Sequence, residues 1–249
     1  MDNDHDHFNI KEKIFTRTRL LIGDEGMERL EHSHVTVCGV GGVGSYVVES
    51  LARAGIGSLT LIDFDIVAYS NINRQLPALI TTVGEYKVDV LVQRIALINP
   101  DCQVTVKREK ITSENLPDLL SEKPDYLVDA IDDLPAKVAL IRYCLADRIK
   151  LVSAMGAGNK IYPEQLKIAD ISQTKGCPLA KALRKQLREY GIEEGFLVVY
   201  SEEKAPAIKV NQEVQRPITA SISFVPSVSG LMLASIVVRD LIGLDLNFK

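Results

Sequence analysis

The stretch VTVCGV (35–40) runs straight into GVGGVGS (39–45), and residues 46–54 then carry apolar side chains at helical spacing. A β-branched apolar run of this kind reads as a parallel strand buried on both faces. Gly39, Gly41 and Gly44 keep the GxGxxG spacing between that strand and the helix, with Gly42 inside the same turn. Glycine admits the tight turn and lets backbone N–H groups approach a pyrophosphate, while the helix N-terminus adds partial positive charge. Asp63 ends the next strand (58–65), 19 residues beyond Gly44, where a carboxylate would hold ribose hydroxyls. NAD, FAD and ATP all satisfy this much.

The rest of the chain continues the rhythm. A helix is expected over 24–33, another over 84–99 stopped by Pro100, a strand at 102–106, and a short helix capped by Ser113. DYLVDA (125–130) and KLVSA (150–154) read as further strands, with a helix opened by Pro135 between them. Strands alternating with helices through short connections predict an α/β fold, a Rossmann-like doubly wound and mostly parallel sheet. Beyond about residue 160 the pattern changes. ITASISFV (218–225) alternates apolar with small residues and predicts a strand in an antiparallel C-terminal extension, followed by a helix over 227–243.

Composition narrows the class. At 249 residues with 46% hydrophobic and 25% charged side chains, the chain is long enough to bury a core and is not chiefly disordered. Its net charge of −4 excludes a polycation that grips nucleic acid without a local basic face. Cys38, Cys102, Cys144 and Cys177 form no CxxC pair, so no structural zinc is expected. The polar, acidic start does not resemble a secretory signal. The 22 uncharged residues from 217 to 238 include two prolines and five serines, which suits a buried strand and helix better than a membrane span. A cytoplasmic protein with no membrane partner is expected.

The residues after Asp63 separate the nucleotides. Asp63-Phe64-Asp65 is followed by Asn71-Ile72-Asn73-Arg74-Gln75, then by Lys87 in VGEYKVDV, and later by Asp129-Ala130-Ile131-Asp132-Asp133 at the end of a strand. Ligands of open parallel sheets sit at the carboxyl ends of strands, which puts Asp63 and Asp132 on one rim. An arginine and a lysine near that rim suit a triphosphate under α-phosphate substitution, and a carboxylate suits Mg²⁺ held together with phosphates. Hydride transfer requires none of these groups.

GVGGVGS, LIDFD, NINRQ, the lysine of VGEYK and DAIDD, in this order, resemble the ubiquitin-activating-enzyme-like adenylating family, the ThiF superfamily, over roughly residues 17–157. The resemblance implies a single adenylating domain over 1–249, with an ATP-binding core at 10–160 and a C-terminal extension at 161–249. It implies that Gly39, Gly41, Gly42 and Gly44 lie under the phosphates, that Asp63 binds ribose, and that Asn73, Arg74 and Lys87 bind the triphosphate. Asp65, Asn71 and Asp133 fall in the same motifs and join the ATP-binding set, and Asp132 would serve Mg²⁺ and phosphate. Arg17 matches the family's arginine that reaches the ATP of a partner subunit, with Arg19 as the alternative, which implies a homodimer. Arg17, Arg74, Lys87 and Asp132 are thereby the expected catalytic residues.

Sulfur-carrier activators of this family usually hold zinc on two CxxC pairs, and this chain has neither. DISQTKGCPLAKALRKQLR (170–188) and the run from 221 to 243 are more similar to the subgroup of tRNA threonylcarbamoyladenosine dehydratases. That subgroup implies ATP-dependent dehydration of a modified adenosine beside the anticodon, with tRNA as the partner and a sulfur-transfer protein as a further candidate. The residues themselves supply a basic trace. Lys181, Arg184, Lys185 and Arg188 recur at i, i+3, i+4 and i+7, a basic stripe suited to RNA phosphates beside an apolar face of Leu183 and Leu187. Cys177, before Pro178, sits where thioester-forming relatives place their cysteine. Adenylation of a small sulfur-carrier protein, an NAD-dependent oxidation and a non-catalytic module stand as alternatives. The second gives no account of Arg74, Lys87 and Asp132 together.

Overall fold

The computed structural model describes residues 3–204, 219–244 and 246, with side chains from residue 12 onward. Seven strands form one sheet: β1 (His34–Cys38), β2 (Ser58–Ile62), β3 (Gln103–Lys107), β4 (Tyr126–Asp129), β5 (Leu151–Ala154), β6 (Leu166–Asp170) and β7 (Leu197–Ser201). Their order is β3-β2-β1-β4-β5-β7-β6, and every neighbour is parallel except the β6–β7 pair. The helices are α1 (Asn3–Glu31), α2 (Gly44–Ala54), α3 (Lys87–Ala96), α4 (Leu116–Leu119), α5 (Leu134–Ala146), α6 (Pro178–Arg188) and α7 (Phe224–Leu241). This is the expected doubly wound α/β fold.

The central strands are short apolar runs, so successive residues feed two cores. Val35 and Val37 of β1, Leu59 and Leu61 of β2, and Val128 of β4 pack with α2, α3 and α7 on one face. Cys38, Ile62 and Leu127 pack with α5 and α6 on the other. Registry then builds the rim: Cys38 pairs with both Ile62 and Asp129. The next residue of each strand, Gly39, Asp63 and Ala130, therefore emerges at the same level.

Several expected elements differ. The antiparallel part is β6 with β7, not 218–225. Residues 219–222 have no regular structure, α7 begins at Phe224, and Ile218 lies outside the described residues. Buried Val225, Ser229, Gly230 and Leu233 follow a helical period that the alternation of small residues conceals. Gly230 sits so close to α2 that a Cβ there would lie 2.4 Å from the Val43 carbonyl oxygen. Helix α7 is long and apolar enough to span a bilayer, yet it packs its Val225–Val237 face into the core. The helix expected from Asp24 is present up to Glu31, and a further helical segment from Asn3 joins it across a break at Gly23 (φ 76°). Asn115, not Ser113, stands at the N-cap of α4; the Ser113 hydroxyl turns to Glu114.

At the centre of the sheet lies an ion pair that the sequence reading did not single out. Lys137 of α5 and Asp129 of β4 are both fully buried, with Nζ 2.7 Å from the carboxylate. The ammonium also donates to Ser153 Oγ (3.1 Å) and the Ala154 carbonyl (3.0 Å), and Ser153 donates to Asp129 at 2.6 Å. Asp129 pairs with Ser153 across the β4–β5 ladder, so the cluster ties both strands to the helix. Removing one partner of such a pair strands the other charge, at about 3–5 kcal/mol. Lys137→Met should lose about that much stability in urea unfolding, and adding Asp129→Asn should recover most of it.

Candidate functional site

The glycine turn begins where β1 ends. Gly39 adopts φ +81° and donates to the Ile62 carbonyl (2.8 Å). A Cβ on Gly44 would lie 1.8 Å from the Gly39 carbonyl oxygen, so the chain can double back into α2 only with glycine there. No side chain caps α2, and Ser45 and Tyr46 N–H of its first turn donate to the Gly41 and Val43 carbonyls (3.0 and 3.1 Å), so an anion is favoured here by the helix dipole and the N–H groups of the turn ahead of them. Asp63 braces the turn from β2: one carboxylate oxygen accepts from Val40 N–H (2.7 Å) and the other from Asp65 N–H (2.8 Å). Burial raises the Asp63 pKa, and the two backbone donors and Lys87 oppose that rise. Each oxygen keeps a second lone pair for a hydroxyl.

The cations stand beside the turn. Lys87 opens α3 and is only 4% exposed, yet its ammonium reaches Asp65 at 2.6 Å. A buried lysine held by a half-exposed carboxylate can offer its remaining protons to an arriving phosphate. Arg74 donates to the Ser70 carbonyl and to Asn73 Oδ1, both at 2.9 Å. Across the rim, Asp133 caps α5 by accepting from Ala136 N–H (3.0 Å), and Asp132 beside it is exposed. These groups line a cavity of about 610 Å³.

Gly39, Gly41, Gly42, Asp63, Asp65, Asn71, Arg74, Lys87, Asp132 and Asp133 all border this cavity. Three expected residues do not. Gly44 serves the turn, and Asn73 donates its amide to the Ser221 carbonyl (3.0 Å). Arg17 is exposed on α1, and the nearby Arg19 is paired with Asp24. Sequence reasoning missed Gln75, Lys110, Leu179, Thr219 and Ser221 as wall residues. Gln75 could have been found inside NINRQ; Thr219 and Ser221 carry no local signal. Gln75 is buried, and its amide oxygen has no hydrogen-bond partner among the described residues.

On α6, Lys181, Lys185 and Arg188 are exposed, whereas Arg184 is half-buried and donates to the Thr174 hydroxyl and carbonyl. Arg184 is thus spent on anchoring its own helix. Cys177 is buried at the N-cap of α6, behind Gly156 of the cavity wall. Burial pushes the Cys102 thiol up to about 11 and that of Cys144 to about 12, and it raises Cys38 strongly, so these thiols stay protonated. Among the described residues, no three His, Cys, Asp or Glu side chains converge on a metal position. Of the four aspartates that border the cavity, Asp63, Asp65 and Asp133 already accept from Val40 N–H, Lys87 and Ala136 N–H, and exposed Asp132 suits Mg²⁺ that takes most of its ligands from phosphate and water.

Residues 15–249 match the ThiF family. The chain is 42% identical over 248 residues to the tRNA threonylcarbamoyladenosine dehydratase of Bacillus subtilis (strain 168), spanning 94% of this chain and 96% of that one. The crystal structure of E. coli tRNA N6-threonylcarbamoyladenosine dehydratase in complex with AMP superposes with a TM-score of 0.87 at 35% identity, covering 92% of this chain and 94% of that chain. The same enzyme in complex with ATP gives a TM-score of 0.86. The sulfur carrier protein ThiS adenylyltransferase of E. coli (strain K12) is 30% identical over 175 residues, which cover 70% of this chain and 67% of its own.

A hydrogen bond from a charged donor contributes about 1.5–3 kcal/mol, or roughly tenfold to a hundredfold in affinity. Arg74→Ala and Lys87→Met should each weaken ATP binding by about that factor in calorimetry, with far-UV circular dichroism unchanged.

Proposed function

The chain belongs to the ThiF family, and we propose that within it the chain is an ATP-dependent tRNA threonylcarbamoyladenosine dehydratase. The observation that carries this reading is the near end-to-end match to a dehydratase, which exceeds the match to the sulfur-carrier activator in both identity and coverage. The cavity has the layout such chemistry needs. The Gly41 turn and the head of α2 lie under the phosphates, Asp63 takes the ribose hydroxyls, and Arg74 and Lys87 take the charge of the polyphosphate. Asp132 is the residue to hold Mg²⁺, which supplies further charge neutralisation at the phosphates.

A carboxylate has no adequate leaving group, and adenylation provides one. An oxygen of the threonyl carboxylate attacks the α-phosphorus of ATP, and the bond to pyrophosphate breaks. Negative charge that develops on the pyrophosphate is stabilised by Arg74 and Lys87. An internal nucleophile of the same modification then attacks the acyl carbon, closes a ring and expels AMP. The original carboxylate oxygen leaves with AMP and a proton leaves the nucleophile, so the nucleoside loses one water. No enzyme thiol enters this sequence, in keeping with the burial of Cys177.

Arg17 serves a second copy of the chain in this proposal. It is exposed on α1, followed by Leu20 and Leu21, which are 84% and 86% exposed. Such a leucine pair beside a cation suits a homodimer in which each protomer completes its partner's phosphate site. The proposal includes a cytoplasmic location, which a tRNA substrate supports.

Incubation with ATP, Mg²⁺ and tRNA bearing threonylcarbamoyladenosine should give an ATP-dependent loss of one water in nucleoside mass spectrometry. ATP cleavage only when a small sulfur-carrier protein is supplied would move the function to carrier activation. Reversing Lys181, Lys185 and Arg188 to glutamate should weaken tRNA binding and reduce the slope of log K against log salt by about 2–3. Unchanged binding at low salt would remove α6 from the interface.

A further inference from the structure

The cavity is electrically divided. Its charged groups (Asp63, Asp65, Arg74, Lys87, Lys110, Asp132 and Asp133) border the ends of β2, β1 and β4 and the loops leaving them and β3. The part beyond the end of β5 is lined by Ala154, Met155, Gly156, Ala157, Gly158 and Leu179, and among the described residues it contains no ionisable group. Thr219, close against Gly158, and Ser221, beside Asn73, are the polar residues among the described ones that continue this wall. A nucleotide whose ribose sits at Asp63 keeps its base on the same side, near Phe64 and Ile111. The neutral half is then left for the acyl substrate.

Thr219 and Ser221 reach that position through two asparagines. Asn159 and Ala220 exchange both hydrogen bonds: Asn159 N–H donates to the Ala220 carbonyl (2.7 Å), and Ala220 N–H donates to Asn159 Oδ1 (2.7 Å). On the other side Asn73 donates to the Ser221 carbonyl (3.0 Å) and accepts from Arg74 (2.9 Å). Asn159 stands at φ +58°, a left-handed conformation that asparagine, aspartate and glycine tolerate better than other residues. Its footing is rigid, because the buried Glu203 carboxylate accepts from Ile161 N–H (2.9 Å) and Tyr162 N–H (3.1 Å).

We propose that the neutral half of the cavity, walled by Thr219 and Ser221, receives the threonyl moiety, and that Asn159 is the positioning residue that sets this wall. The assignment rests on the dehydratase reading given above. The wall fits the ligand class: a short aliphatic group that carries one hydroxyl meets small apolar side chains and two hydroxyls that both donate and accept. The charged carboxylate of the same group points back toward the cations and the α-phosphate. Asn73 connects the two halves, since one side chain contacts both the phosphate-handling arginine and the acyl wall.

The test compares Asn159→Gly with Asn159→Asp. Both keep the left-handed backbone; only aspartate keeps an acceptor for Ala220 N–H. Asn159→Gly should raise the KM for tRNA bearing threonylcarbamoyladenosine about tenfold, the loss of one positioning hydrogen bond, with the KM for ATP nearly unchanged. Asn159→Asp should keep the KM for that tRNA near the value of the unsubstituted enzyme. Amide exchange in the peptide spanning residues 219–223 should quicken in the glycine variant and not in the aspartate variant. A glycine variant with unaltered tRNA KM, or one whose ATP KM rises equally, overturns the acyl assignment. Unaltered exchange overturns the clamp. If the unsubstituted enzyme removes no water from that tRNA, the acyl assignment fails with the function, and exchange alone still decides the clamp.

Discussion

The buried pair of Asp129 and Lys137 is the constraint on which the site depends. Asp129 is the last residue of β4, at the point where the sheet reverses its order of connection, and its next neighbours form the loop that carries Asp132 and Asp133. A free carboxylate there would be intolerably desolvated. Lys137 compensates it from α5, Ser153 from β5, and Ile131 N–H from the loop itself (3.3 Å). One charged cluster therefore sets the height of β5, the seat of α5 and the start of the loop together. Its charge balance also explains why a lysine lies fully buried in an apolar helix.

Above this floor the site is a set of charges held in readiness. Lys87 is held by Asp65, and Arg74 is held by a carbonyl and by Asn73. Neither cation has to be ordered anew when a polyphosphate enters, because its position is already set by neighbours that can share it. Asp63 is fixed by two backbone donors and in turn fixes the glycine turn. Among the described residues these charges stop short of the wall beyond β5, which is neutral.

Several features were legible because they are local. The glycine turn, the Asp63 position and the polar motifs sit at strand ends, and the parallel register of β1, β2 and β4 brings those ends level. The errors arose where local pattern and tertiary environment disagree. The alternation in ITASISFV looks like a half-buried strand, but Ser229 and Gly230 are small because α7 lies against α2, and period 3.6 governs from Val225 onward. Strands β6 and β7 were passed over because they pair across a connection of 26 residues that contains α6, and nothing local announces such a partner. Ser113 precedes a helix of a single turn whose N-cap is Asn115, and the Asn115 side chain ties the preceding loop instead, accepting from Thr112 N–H and donating to the Lys110 carbonyl.

By itself the sequence determined the architecture, the glycine loop, the cations Arg74 and Lys87 that border the cavity, and the resemblance that points to adenylation. These follow from residue type and short-range spacing, since glycine dihedrals, strand burial and motif order are properties of contiguous chain. Only the tertiary structure decided that Lys137 neutralises Asp129, that Arg184 serves Thr174, and that Asn73 faces Ser221 rather than the cavity. It also decided that Thr219 and Ser221, some 150 residues beyond Asn73 in sequence, wall the same cavity as the glycine turn. Each of these depends on a contact between distant segments, and the energy of such a contact resides in neither segment alone.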